Sequence, residues 1–171
     1  MARIPYADAA NKAIAPLVQR IEGERGKVLN LYGMLLHSPP VAEGWLAFLT
    51  AIRQKCSLPA RIRELVIMRV AVINGADYEF RAHTPFALSE GITQLQIDGL
   101  QAGTNELFNE VERSCLAYCD SMTRDIHVPD AVFNAVRPHF SEREMVELTA
   151  TIAAYNLVSR FLEAMQIDHD K

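Results

Sequence analysis

Between Leu65 and Ile73 only Arg69 interrupts an unbroken run of apolar side chains. A helix with such a run has no continuous polar face, so it must be enclosed by other elements rather than laid on a surface. Glu64 heads the run, and it is carried inside together with Arg69. Asn74-Gly75 ends the run, and a second helix is expected from about Ala76 or Asp77. In that helix Glu79 and His83 are one turn apart on one face. A buried carboxylate followed by a carboxylate–imidazole pair is the raw material of a general acid–base site. The same spacing also suits an ordinary helix-surface ion pair, with Glu64 as a first-turn acid complementing the helix dipole.

The periodicity elsewhere is three and four, never two, which predicts an all-α chain. Residues 1–26 read as an N-terminal arm and first helix, the helix starting near Ala15, with Ile4-Pro5-Tyr6 packed on the body or on a neighbouring subunit. Residues 27–171 read as one helical domain. Within it a helix is expected over 27–37, and another after Ser38-Pro39-Pro40 that buries Val41, Trp45, Phe48, Leu49 and Ile52. Thr93-x-x-Gln96 and Ser141-x-x-Glu144 are capping boxes. A helix is expected from Asn105 to about Thr123, burying Leu107, Phe108, Val111, Cys115, Leu116 and Cys119. The last helix carries the apolar stripe Met145, Leu148, Ile152, Tyr155, Val158 and Leu162. Pro85 falls just past His83, where it removes a backbone donor and favours a kink. Arg61 and Arg63 open the central helix against its dipole preference, which calls for acidic partners, an anionic ligand or a subunit contact.

Composition narrows the function classes. A net charge of −4, with no basic run, argues against nucleic acid. No apolar run reaches bilayer length and no signal-peptide core follows Met1, so a cytoplasmic protein without a membrane partner is expected. Half the residues are apolar, a surplus that a helical domain can bury against copies of itself. Cys56, Cys115 and Cys119 suit a reducing compartment and read as small hydrophobes. The five histidines show no metal-type spacing, so neither metal nor cofactor is expected.

The succession Glu64, Ala76, Glu79, His83 resembles that of the carboxymuconolactone decarboxylase and alkylhydroperoxidase-D-like family. Its hydroperoxidase branch has a Cys-x-x-Cys where this chain has Ala76 and Glu79, so the redox pair is absent. The phrase Ala76-Asp77-Tyr78-Glu79-Phe80-Arg81-Ala82-His83 is similar to the decarboxylase-like branch. The resemblance implies an alkylhydroperoxidase-D-like helical fold, assembly as trimers or hexamers, and decarboxylation of a small carboxylated lactone in aromatic-acid breakdown. On that reading His83 donates the proton, Glu64 or Glu79 orients it, and Tyr78 hydrogen-bonds an oxyanion. Arg69 or Arg81 would hold a substrate carboxylate. Alternatives are a hydrolase, isomerase or peroxidase-like relative, or an oligomeric binding protein without catalysis.

Overall fold

The computed structural model describes residues 1–170. Its elements are α1 (Ala15–Arg25), α2 (Asn30–Leu35), α3 (Pro39–Gln54), α4 (Ala60–Asn74), α5 (Asp77–Ser89), α6 (Gln94–Ala102), α7 (Glu110–Arg124), α8 (Asp130–Val136) and α9 (Glu142–Met165). No strand occurs among the described residues, so the all-α reading is correct. None of these helices is long and apolar enough to cross a membrane.

The chain divides into two compact units, Met1–Lys55 with the segment from Phe161 onward, and Cys56–Arg160. In the first unit the arm is tied down by named bonds. Tyr6 Oη donates to Asp168, the Ala7 amide donates to the Gly33 carbonyl, and the Arg3 amide donates to the Met165 carbonyl. Asn30 is gripped from the C-terminal tail: its amide donates to Asp170 and its side chain to the Asp168 and His169 carbonyls. That grip explains why α2 begins at Asn30 rather than at Lys27. In α3, Trp45, Leu49 and Ile52 are buried as expected, whereas Val41 is 50 % and Phe48 42 % exposed.

The second unit is organised around α4. All residues from Glu64 to Ala71 are buried, because α5, α6 and α7 pack about it. One core cluster joins Leu65 and Met68 to Ala87, Ile97, Leu100 and Leu116. Gly75 closes α4 in the left-handed conformation, φ +65°, a backbone state that glycine adopts without a Cβ penalty. Its amide returns to the Val72 carbonyl and the Ala76 amide to the Ala71 carbonyl. The chain then re-enters a helix at once, and α5 begins with Asp77 and Glu79 in its first turn, where carboxylates suit the positive end of the dipole.

The Thr93–Gln96 box is formed at α6, and the Ser141–Glu144 box closes the start of α9. The expected 105–123 helix is shorter than its apolar content suggests. It starts at Glu110, capped reciprocally by Asn109 and Glu112, so Leu107 lies in the preceding loop, partly exposed, and Val111 is only half-buried. Residues Met145, Leu148, Ile152, Tyr155, Val158 and Leu162 of α9 are all buried.

Candidate active site

The turn at Asn74-Gly75 folds α5 back along α4, and three polar side chains meet. His83 Nδ1 lies 2.7 Å from Glu64 Oε2, and Nε2 lies 3.4 Å from Glu79 Oε2. All three are enclosed: Glu64 is 1 %, His83 4 % and Glu79 5 % exposed. A surface ion pair is therefore excluded. Tyr155 meets the imidazole edge-on at 5.0 Å between centroids, and Phe86 tilts against it at 5.7 Å. These rings wall the imidazole with apolar surface.

The two carboxylates occupy opposite nitrogens of one ring. They flank the imidazole instead of converging on a shared point. A neutral imidazole carries one N–H, so it can donate to one ionised carboxylate only. Satisfying both contacts requires one further proton, either on the ring or on Glu79. A proton held on either group would have a neighbour able to take it, which is what an acid–base catalyst needs.

Arg63 extends the chain of charges. Its Nε donates to Glu64 Oε1 at 3.1 Å, so Glu64 has a guanidinium on one oxygen and the imidazole on the other. Burial pushes the Glu64 carboxyl upward, but the hydrogen bond and charge of His83, aided by Arg63, outweigh it and hold the group below the usual carboxylate value. Glu64 is thus ionised, and the site reads Arg63, Glu64, His83, Glu79 in spatial order. In the sequence Arg63 stands out only as an unusual first-turn cation and Tyr155 only as core. Arg63 carried a signal, its place beside Glu64; Tyr155 carried none.

The remaining expected site residues go elsewhere. Arg69 donates through Nε and Nη2 to the two oxygens of Asp120, both at 2.6 Å, and through Nη1 to the Leu100 carbonyl. It lies about 140° around α4 from Glu64, and the structure does not bring it to the imidazole. Arg81 is 68 % exposed and pairs with Asp77 across one outer turn of α5. Tyr78 is buried but likewise lies about 140° around α5 from His83.

An open cleft of about 290 Å³ lies alongside, lined by Ala71, Val72, Ala76, Phe80 and Gln101 among others. None of Glu64, Glu79 and His83 lines it. Cysteine chemistry has no foothold here. Ala76 and Glu79 fill the positions of the absent thiol pair, burial pushes Cys115 up to about 12, and it raises Cys119 further and Cys56 as well. Thiols so placed hold little thiolate near neutrality.

Comparison with known proteins agrees with this architecture. Residues 39–106 match the carboxymuconolactone decarboxylase family. The chain is 29 % identical over 115 residues to the uncharacterized protein YdfG of Bacillus subtilis (strain 168), which covers 66 % of this chain and 78 % of that protein. A peroxidase-related protein from Ralstonia eutropha JMP134 with an alkylhydroperoxidase AhpD core superposes with a TM-score of 0.82 at 20 % identity, covering 99 % of this chain and 93 % of that one. The debrominase Bmp8, in complex with 2,3,4-tribromopyrrole, gives 0.80 at 18 % identity, with 99 % and 94 % covered. These two structures share the fold; what they act on belongs to them. Over residues 39–106 the chain is thus similar to the carboxymuconolactone decarboxylase family, on a helical fold that it shares with an alkylhydroperoxidase AhpD core.

Proposed function

We propose that this protein is a cytoplasmic enzyme that decarboxylates a small carboxylated lactone, or a related carbonyl compound, by acid–base chemistry without a cofactor. The observation that carries the reading is the buried imidazole flanked by two carboxylates, Glu64 at 2.7 Å and Glu79 at 3.4 Å. Breaking the bond to the departing carboxylate sends its electron pair into the ring, giving a dienolate whose charge rests on the lactone oxygen. One proton must then reach carbon. His83 supplies it from the nitrogen facing Glu79, and the proton is replaced from solvent. Glu64, held ionised by His83 and Arg63, fixes the orientation of the ring. Enclosure by Tyr155 and Phe86 favours loss of a charged carboxylate as neutral carbon dioxide.

The test is incubation with carboxymuconolactone in heavy water. The expected outcome is one carbon dioxide per substrate consumed and one deuterium on carbon in the product, with His83→Ala slower by about 10²–10⁴-fold. Absence of carbon dioxide from the wild type, or an undiminished rate in the variant, overturns the proposal.

A closed homo-oligomer, trimeric or hexameric, is the assembly proposed with it. Exposed apolar side chains on several helices, among them Val41, Phe48, Phe86 and Val146, support it. Light scattering should give a multiple of three chain masses; a mass of 19.1 kDa would refute the assembly.

A further inference from the structure

Helix α9 buries an apolar stripe that includes Ile152, Tyr155 and Val158. Apolar contact is non-directional, so a stripe alone does not fix how a helix is rotated or slid on its neighbours. Hydrogen bonds do. Beside Tyr155 lies a buried polar cluster that the acid–base chemistry does not use. Asn156 is 6 % and Ser159 0 % exposed. Asn74, the last residue of α4, donates through Nδ2 to Asn156 Oδ1 at 3.1 Å and to Ser159 Oγ at 2.7 Å. Ser159 Oγ donates in turn to the Tyr155 carbonyl at 2.8 Å. Asn156 Nδ2 donates to Thr123 Oγ1 on α7 and to the Ile152 carbonyl, both at 3.0 Å. One carboxamide thus ties the end of α4 to α9, and a second ties α9 to α7.

Asn74 immediately precedes the Gly75 turn that leads into α5, and α5 carries Glu79 and His83. Tyr155 stands edge-on to the His83 ring, 5.0 Å between centroids. The imidazole therefore comes from α5 and its wall from α9, and the bonds of Asn74 join the two. From this geometry we propose that Asn74 is a positioning residue of the site. Its carboxamide sets α9 so that the Tyr155 ring holds His83 between Glu64 and Glu79. Its bonds run to α9 and not to the imidazole, so it acts through Tyr155. The kinetic consequence rests on the decarboxylation reading; the effect on the His83 ring does not.

The experiment uses the full chain with Asn74→Ala, Tyr155→Leu and the two combined. The first readout is the NMR signals of the His83 ring protons, assigned by their loss in His83→Ala. Asn74→Ala should shift them in the same sense as Tyr155→Leu, because the aromatic ring is displaced in one and absent in the other. The double variant should match Tyr155→Leu. Ser159→Ala, which keeps the bond from Asn74 to Asn156, should give a smaller shift of the same sense, and it serves if Asn74→Ala does not fold. With carboxymuconolactone as substrate, Asn74→Ala should lower kcat about 10–100-fold, the cost of a small misplacement, at a KM within a few-fold. In the Tyr155→Leu background the same replacement should lower kcat by less than about threefold, since the route through the ring is already cut. His83 signals left unmoved by Asn74→Ala and Ser159→Ala, with only a lower melting temperature, would make the cluster a simple fastening and overturn the proposal. A kcat loss equally large with and without Tyr155 would also overturn it. If the wild type releases no carbon dioxide, the decarboxylation reading fails, yet the NMR comparison still decides the role of Asn74.

Discussion

Helix α4 buries two charges five residues apart, Glu64 and Arg69, and treats them in opposite ways. Arg69 is closed off. A bidentate bond to Asp120 and a third to the Leu100 carbonyl occupy its guanidinium. Glu64 is bonded to an imidazole, the one side chain whose ordinary pKa lies near neutrality, and through it to a second carboxylate. A fixed cation on a fixed anion is a fastening between helices. A fixed anion on a titratable ring is a device for moving a proton. Burial alone does not distinguish the two; the partner does.

The comparison can be broken from either side. The largest effect on stability is expected at Arg69. Replacing it with methionine leaves Asp120 unpaired and the Leu100 carbonyl without its donor, which costs about 2–4 kcal/mol, the lower end reflecting the partial exposure of Asp120. The double replacement Arg69→Met with Asp120→Leu should recover most of that loss, because a packed apolar pair can substitute for a buried ion pair. Urea unfolding of the three proteins measures it. A double variant no more stable than Arg69→Met would show that the charges do more than offset each other.

A smaller and pH-dependent effect is expected at Glu64. Its pKa in the folded chain is depressed below the ordinary 4.5. Its stabilisation is therefore fully present above that value and is lost as pH falls through the lower, folded one. Glu64→Gln should be less stable than wild type by about 1–3 kcal/mol at neutral pH. The gap should close as pH falls below the ordinary carboxylate value and the wild-type carboxylate is protonated. Thermal unfolding across that range checks it; a gap independent of pH would mean that the carboxylate's charge contributes nothing.

Much of this contrast was legible in the sequence, and what was missed has a common cause. Glu64, Glu79 and His83 could be read because Asn74-Gly75 is a local break and Glu79–His83 a local spacing. The buried run around Arg69 was equally plain, but its partner Asp120 lies 51 residues away on α7, and no pattern in the chain points from one to the other. Arg69 was accordingly given to the substrate rather than to the fold. The late start of α2 has the same origin, since the tail that grips Asn30 is 140 residues downstream. At α7 the signal was local but hidden: Asn109 and Glu112 cap the helix reciprocally, while Leu107 and Phe108 just before them resemble a continuing apolar stripe. Helical faces also misled where only proximity in sequence was used. Tyr78 and Arg81 are close to His83 along the chain and lie on other faces of α5.

The central claim is that α4 carries catalysis at one charge and stability at the other. A crossed measurement of kcat and melting temperature in His83→Ala and Arg69→Met tests it most directly, with carboxymuconolactone as substrate and both assays run below the melting point of the weaker protein. The account predicts that His83→Ala loses about 10²–10⁴ in kcat and also melts lower, because Glu64 and Glu79 lose their buried partner. Arg69→Met should melt roughly 5–15 °C lower and keep kcat within a few-fold. Equal losses of kcat in the two variants, or a full rate in His83→Ala, would contradict it.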